Sequence, residues 1–400
     1  MINKDNWQDT QERFTAWWNH RNIDRPLMYV MAKKKNKNGL AENRTAYMPD
    51  IKQNHSEEQD AIQTANDGTF IHNSIKSEPV YKNEIERQYL DVPYIIEKMR
   101  SYFEERICFA EAYPSVSIDL GAGSMALYLG SEPVFAPDTI WFHECIDNWT
   151  DHYPLQYNPN NKWWKLHMQM IKEAKKLAND DFVINIPDLV ENVDILSALR
   201  GPQPLCYDLV DEPEMIKELV NQLDEIYFTY YNSIYDIVKL SDKSSSFTAF
   251  RIWGPGRTAK IQCDFCALMS PQQFRDFVQE SLRKQCKYLN HSLYHLDGPD
   301  AIKHLDALME IKELDAVQWT AGAGQVDGGN PKWYPIYDKV IGAGKSMWIS
   351  IEDGTFEDWV ISADNLVKRY GPGRLYLLFP EMEEEQAIRL MDIANRDWTG

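Results

Sequence analysis

The sequence predicts an α/β fold: a (β/α)8 TIM barrel elaborated by a long N-terminal insertion or cap over residues 33–114. Eight short apolar runs bounded by turn residues are spaced along the 400 residues, the pattern of short strands. Helical patterns, with apolar residues three and four apart, lie between them. Strand and helix therefore alternate, and parallel strands joined by right-handed crossovers close on themselves at eight. No internal repeat or low-complexity linker divides the chain, so one elaborated domain over residues 1–400 is expected.

The strands in order are PLMYVMA from Pro26, SVSIDLG from Ser115, FVINIPD from Phe182, FTAFRIW from Phe247, SLYHLDG from Ser292, LDAVQWT from Leu314, SMWISIE from Ser346 and RLYLLFP from Arg374. The first crossover is far too long for a simple connection. It holds polar sequence (NHSEEQDAIQTANDG) and a helical stretch around YIIEKMRSYFEERICFAEAY, hence the insertion. Ile216, Leu219, Val220, Leu223, Ile226, Tyr227 and Tyr230 form one stripe of a core-facing helix. In SPQQFRDFVQESL, Ser270 suits a helix cap and Pro271 the first helical position, with Phe274, Phe277, Val278 and Leu282 inward. DGPDAIKHLDALMEI and PKWYPIYDKVIGAGK are shorter crossovers, the second ended by Gly344, and EEEQAIRLMDIANR is the last helix.

Composition narrows the function classes. A net charge of -19 argues against a nucleic-acid partner or an acidic membrane surface, because phosphate binding needs a basic face. Only AKKKNKNG (Ala32–Gly39) is locally basic, and it reads as a solvated loop. No apolar run approaches the ~18 residues of a membrane span, and the N-terminal residues lack the apolar core of a signal peptide. A cytoplasmic protein is expected. Six cysteines are too few for a disulfide scaffold at this length. Cys263 and Cys266 form a lone C-x-x-C without the second pair of a zinc ribbon. Gly-rich LGAGS (Leu120–Ser124) lacks the P-loop lysine and the dinucleotide pattern, and reads as a close-packed loop.

A barrel builds its active site at the carboxyl ends of the strands. The residues expected there are Asp119, Asp188, Arg251, Trp253, His295, Asp297, Gln318, Trp319, Glu352 and Glu381. Crowded carboxylates raise one another's pKa, bind a cation or pair with arginine. His295 and Asp297, two apart on a strand, project to one face. They are a metal pair, an acid/base pair, or a polar pair that fixes the strand end.

The order CDFCALMSPQQFRDFV, YHLDGPDAIKHLDAL, LDAVQWTAGAG, GKSMWISIE and LYLLFPEMEEEQA resembles the uroporphyrinogen decarboxylase superfamily, in its decarboxylase-like and cobamide-dependent methyltransferase-like branch. The resemblance runs from about Phe182 to Gly400 and implies a (β/α)8 barrel. It also implies a zinc site, since corrinoid-linked members hold zinc with a His-x-Cys at one strand end and a further cysteine near the last. His295 stands at the histidine position, Asp297 replaces the cysteine, and Glu381 lies where the last cysteine is expected. A harder set of His295, Asp297 and Glu381, with Cys263 as a further donor, would hold zinc or another divalent ion and favour oxygen-bearing substrates. The N-terminal arginine cluster of true uroporphyrinogen decarboxylases is not matched by Arg21 and Arg25.

The resulting expectation is a barrel enzyme acting on a small organic molecule by metal-assisted methyl transfer, with a corrinoid protein as partner. His295, Asp297 and Glu381 would be catalytic. Asp119, Asp188, Arg251, Trp253, Gln318, Trp319 and Glu352 would bind substrate. Two other classes compete: a glycoside hydrolase using rim carboxylates, and a non-catalytic binding or accessory protein of the same fold.

Overall fold

The computed structural model describes residues 1, 4–21, 23–35 and 81–399. Among the described residues, most strands form one mixed sheet. In chain order the strands are β1 (Leu27–Lys33), β2 (Arg106–Ala110), β3 (Ser115–Val116), β4 (Pro133–Phe135), β5 (Ile140–Phe142), β6 (Val183–Ile184), β7 (Ser245–Phe247), β8 (Ile252–Gly254), β9 (Thr258–Gln262), β10 (His291–Asp297), β11 (Ala316–Thr320), β12 (Ser346–Ser350), β13 (Leu375–Leu378) and β14 (Met382–Glu383). The central sheet runs β14-β1-β13-β12-β11-β10-β9 in parallel pairs, with β2 antiparallel on β1. A second parallel pair, β3–β6, is followed by a parallel bridge from Ile186 to Phe247. The architecture is thus α/β with a mostly parallel sheet.

Three of the expected strands are shorter or different. SVSIDLG and FVINIPD contribute only two ladder residues each, β3 and β6. FTAFRIW is not one strand: it is split between β7 and β8, an antiparallel hairpin. Its turn holds Phe250 and Arg251 in the left-handed region, at φ 58° and 52°, which non-glycine residues enter at a cost. Hydrogen bonds from Trp348 Nε1 to Phe250 O (2.8 Å) and from Tyr376 OH to Arg251 O (2.9 Å) hold that turn. The strand that continues the sheet is β9, TAKIQ, whose lysine and glutamine disguise it as a loop. Of the expected insertion at 33–114, residues 36–80 lie outside the described residues, and with them half of the basic run Ala32–Gly39. The remainder supplies helices Glu84–Leu90 and Val92–Glu104 and then β2.

The helices follow the apolar spacing closely. Pro213–Val238 buries Ile216, Leu219, Val220, Leu223, Ile226, Tyr227 and Tyr230, each fully buried aliphatic side chain contributing about 1.5–3 kcal/mol. Ser270 caps Pro271–Phe277 in a capping box with Gln273. The first helix, Trp7–Trp18, closes one end of the sheet. Phe14 and Trp17 meet Tyr376 edge-on, and Trp18 stacks on His291, the first residue of β10. That end is therefore sealed by aromatic packing, and the opposite, carboxyl ends of the strands carry the polar groups. No helix among the described residues is long and apolar enough to cross a membrane.

Candidate metal centre

The parallel register builds the site. Gln262, His295, Gln318, Trp348 and Tyr376 pair successively across β9 to β13, so their side chains share one face of the sheet as one layer. One step further along, Asp297 pairs with Thr320. Strand β10 then stops because Gly298 takes φ 74° and Pro299 opens a short helical turn. Asp297 is thereby left at the rim with His295 beneath it.

The third member comes from after β9. Asp264, His295 and Asp297 each offer a ligand atom, and these atoms all lie within 4.8 Å of one another. Asp264 is fixed through its neighbours: its own N–H and that of Phe265 donate to Asp194, each at 2.8 Å. Gln262 Nε2 donates to one carboxylate oxygen of Asp264 at 2.8 Å, while Oδ1 is buried with no hydrogen-bond partner. Burial first, then the nearby Asp194 charge, pushes the Asp264 pKa well above the ordinary carboxylate range. The Asp297 carboxylate has no hydrogen-bond or ion-pair partner among the described residues.

The imidazole is equally prepared. His295 Nδ1 donates to Gln318 Oε1, and Gln318 is itself oriented by its Nε2 donating to Thr320 Oγ1 at 2.8 Å. That bond places the ring proton on Nδ1 and frees the Nε2 lone pair. Burial lowers the His295 pKa, keeping the ring neutral. Phe250, from the strained turn, packs 5.0 Å from the imidazole. A neutral imidazole with an oriented second nitrogen, beside two carboxylates with unengaged oxygens, fits a divalent cation.

The sequence-expected donors Glu381 and Cys263 do not join this cluster. Arg106 Nε binds the Glu381 carboxylate at 2.5 Å, and Tyr102 OH donates to it at 3.2 Å. Cys263 is buried, and its carbonyl accepts from the Cys266 N–H at 3.4 Å. The donor from this loop is the next residue, Asp264. Trp253 packs with Trp7 and Phe14 of the N-terminal helix, and Trp319, on the opposite face from Gln318, packs on Trp333. Neither shapes the mouth around the imidazole. Glu352 is exposed and accepts from Ser350 Oγ. Arg251 lies over the Tyr29 ring, 4.6 Å from its centroid. Arg25 is committed elsewhere, to a two-pronged bond with buried Glu111 at 2.9 Å. LGAGS is a packing loop: a side chain at Gly121 would come within 3.0 Å of Ile140.

Asp119 and Asp188 do meet. The backbone N–H of Asp188 donates to Asp119 Oδ2 at 3.4 Å. Paired with Asp188 is a residue the strand reading missed, Lys260. It is 2% exposed and pairs with Asp188 Oδ2 at 2.7 Å. Burial opposes its charge, yet Asp188 and Glu191 hold its pKa above the ordinary lysine value. Glu191 is buried, accepts from Gln262 N at 2.6 Å and has its pKa raised by burial. The signal for Lys260 and Asp264 was present in TAKIQCD, where Ala259, Ile261 and Cys263 alternate with Thr258, Lys260 and Gln262. With the polar set facing the mouth, period-2 alternation still marks a strand.

No protein-family model and no curated protein matches the chain.

Proposed function

We propose that the chain is a uroporphyrinogen decarboxylase-like enzyme with a closed (β/α)8 barrel, in which Asp264, His295 and Asp297 hold one divalent ion for methyl transfer from a small organic molecule, with a corrinoid protein as partner. The observation that carries the reading is the three donor atoms within 4.8 Å of one another, next to a His295 tautomer set by Gln318. Barrel closure is supported by the unbroken parallel run from β9 to β13 and β1, and by the parallel β3–β6 pair with its bridge into β7. The motif order from Phe182 onward supports the superfamily.

A bound divalent ion supplies Lewis-acid charge that stabilises negative charge developing on a substrate heteroatom. The chain's own residues do the rest. Gln318 keeps the imidazole lone pair aimed outward from its Nδ1–H bond, Gln262 holds Asp264, and Phe250 covers one side of His295. The absence of a cysteine beside His295 favours an oxygen-bearing substrate over a thiol. A glycosidase reading is less well served, because Glu381 is bound by Arg106 and Asp188 by Lys260.

The test is metal content and affinity of the purified chain. One equivalent of zinc or a similar ion per chain is expected, and both His295→Ala and Asp264→Asn should lose it while remaining folded by circular dichroism. Failure of the wild-type chain to bind any first-row divalent ion by calorimetry would remove the metal reading.

A further inference from the structure

A second constellation, separate from the metal donors, stands across the mouth. Asp119 follows β3 and Asp188 follows β6, two strands paired in parallel. The loop after Asp119 is locked to the segment after β6 by Gly123 N to Asp188 O (3.0 Å) and Met125 N to Leu189 O (3.3 Å). The two carboxylates are thus held together by backbone rather than by chance side-chain positions. Each has one buried oxygen, Oδ1, with no hydrogen-bond partner. Asp188 is 7% exposed, and its other oxygen is taken by Lys260.

Two carboxylates this close cannot both be ionised without compensation. Lys260 lies against one of them. The ion pair at 2.7 Å stabilises the charge on Asp188, so the proton the pair must hold falls to Asp119. We propose that Asp119 is the proton-exchanging residue of the site, with Asp188 and Lys260 as the positioning residues that give it the proton. Physical support comes from its pKa, which burial and then the Asp188 charge raise to about 7. A group at that value exchanges a proton near neutral pH.

The charged and titratable groups facing Asp119 are few. Asp188 acts from the segment after β6, Lys260 from β9 and Tyr128 from helix Met125–Tyr128, while the N–H of Asp188 donates to its carboxylate. Tyr128 is itself buried and hydrogen-bonded to His167 Nδ1 at 2.6 Å. Lys260 and Asp188 also act electrostatically on His295, so this cluster is electrostatically linked to the metal donors.

This inference rests on the group-transfer reading for its chemical role. As the bond between the transferred carbon and its heteroatom breaks, the electron pair stays on the heteroatom and the Asp119 proton passes to it. The carbon goes to the nucleophilic acceptor, and Asp119 is left as a carboxylate. The substrate class is a small molecule whose methyl group is borne on an oxygen or nitrogen that leaves protonated.

The proton can be read without substrate, by infrared difference spectroscopy of the carbonyl band of protonated carboxyl groups during a pH titration. The wild-type chain should lose one such band with a midpoint near neutrality that is missing in Asp119→Asn. Asp315, near the amino end of β11 and raised to about 6, titrates in both proteins and cancels in the comparison. In Asp188→Asn the like charge is gone and the Asp119 midpoint should fall by about 1 unit or more. An identical band pattern in wild type and Asp119→Asn would overturn the proposal. Metal stoichiometry should be unchanged in Asp119→Asn. A chain that binds no metal yet shows the Asp119 band would remove the metal reading alone, and the reverse result would remove only the proton.

Discussion

The carboxyl ends of the strands carry two acidic clusters, or walls, and they differ in how their charge is met. On the wall of Asp119, Asp188 and Glu191, the protein supplies its own cation, Lys260, buried and paired at 2.7 Å. On the wall of Asp264, His295 and Asp297, no described lysine or arginine is paired with a carboxylate. Both walls bring carboxylates close together, but only the first holds its cation in a direct ion pair; Lys260 reaches Asp264 only at a distance and through Gln262. The second has its polar atoms arranged, with Gln318 on His295 and Gln262 on Asp264, around carboxylates that no cation pairs directly. Residue type alone does not separate these two clusters; the directly paired internal counter-charge on the first is what distinguishes them.

The largest expected effect tests that distinction. Lys260→Met leaves Asp188 buried without its partner, which should cost about 3–5 kcal/mol of stability. Asp297→Asn, on the wall with no internal cation, should leave the metal-free chain within about 1 kcal/mol of wild type. Urea unfolding of the two variants without added metal decides it. Similar losses for both would show that the walls are not different in kind.

The second effect is smaller and concerns only the open wall. Gln318→Leu keeps the volume but removes the acceptor for His295 Nδ1–H. Loss of such an outer partner typically lowers metal affinity about 10- to 100-fold. Calorimetric titration of the variant with zinc should show that weakening with little change in fold. Undiminished affinity would mean that Gln318 does not set the tautomer.

Much of this architecture was legible in the sequence, for reasons that vary with the element. Strand β10 and the helix Pro213–Val238 were readable because each buries a continuous or regularly spaced apolar set. Rim positions Asp119, Asp188, His295 and Asp297 followed from strand ends, and Gln318 from its place beside Trp319. Strand β9 was hidden because its mouth-facing residues are Lys260 and Gln262, whose burial is satisfied only by partners distant in sequence: Asp188, Glu191 and Asp194. Cys263 with Asp264 can be read as reaching the mouth, but Cys263 rather than Asp264 reads as the donor, for a related reason. A thiol at the end of the strand next to the histidine's looks like a ligand, whereas which of two adjacent residues faces the mouth depends on the turn that follows the strand. Trp253 and Trp319 were misplaced because an aromatic ring at a strand end is equally at home on either face.

The smallest expected effect concerns the residue that motif position favoured and the fold placed elsewhere. Glu381 is a quarter exposed and held by Arg106, with Lys33 farther out at 3.6 Å. Its carboxylate has a complete set of donors without any ion. Glu381→Gln keeps the shape and one acceptor oxygen, and part of its lost ion-pair energy is already screened by water, so the cost should be about 1 kcal/mol. The Arg106 guanidinium, packed 3.6 Å from the centroid of the Tyr102 ring, limits that cost by keeping a second favourable contact. Zinc affinity should stay within about twofold of wild type, since a ligand substitution would cost far more than the loss of an outer partner. A large fall in metal affinity in Glu381→Gln would return this residue to the metal centre and require the last strand end to move toward His295 when the ion binds.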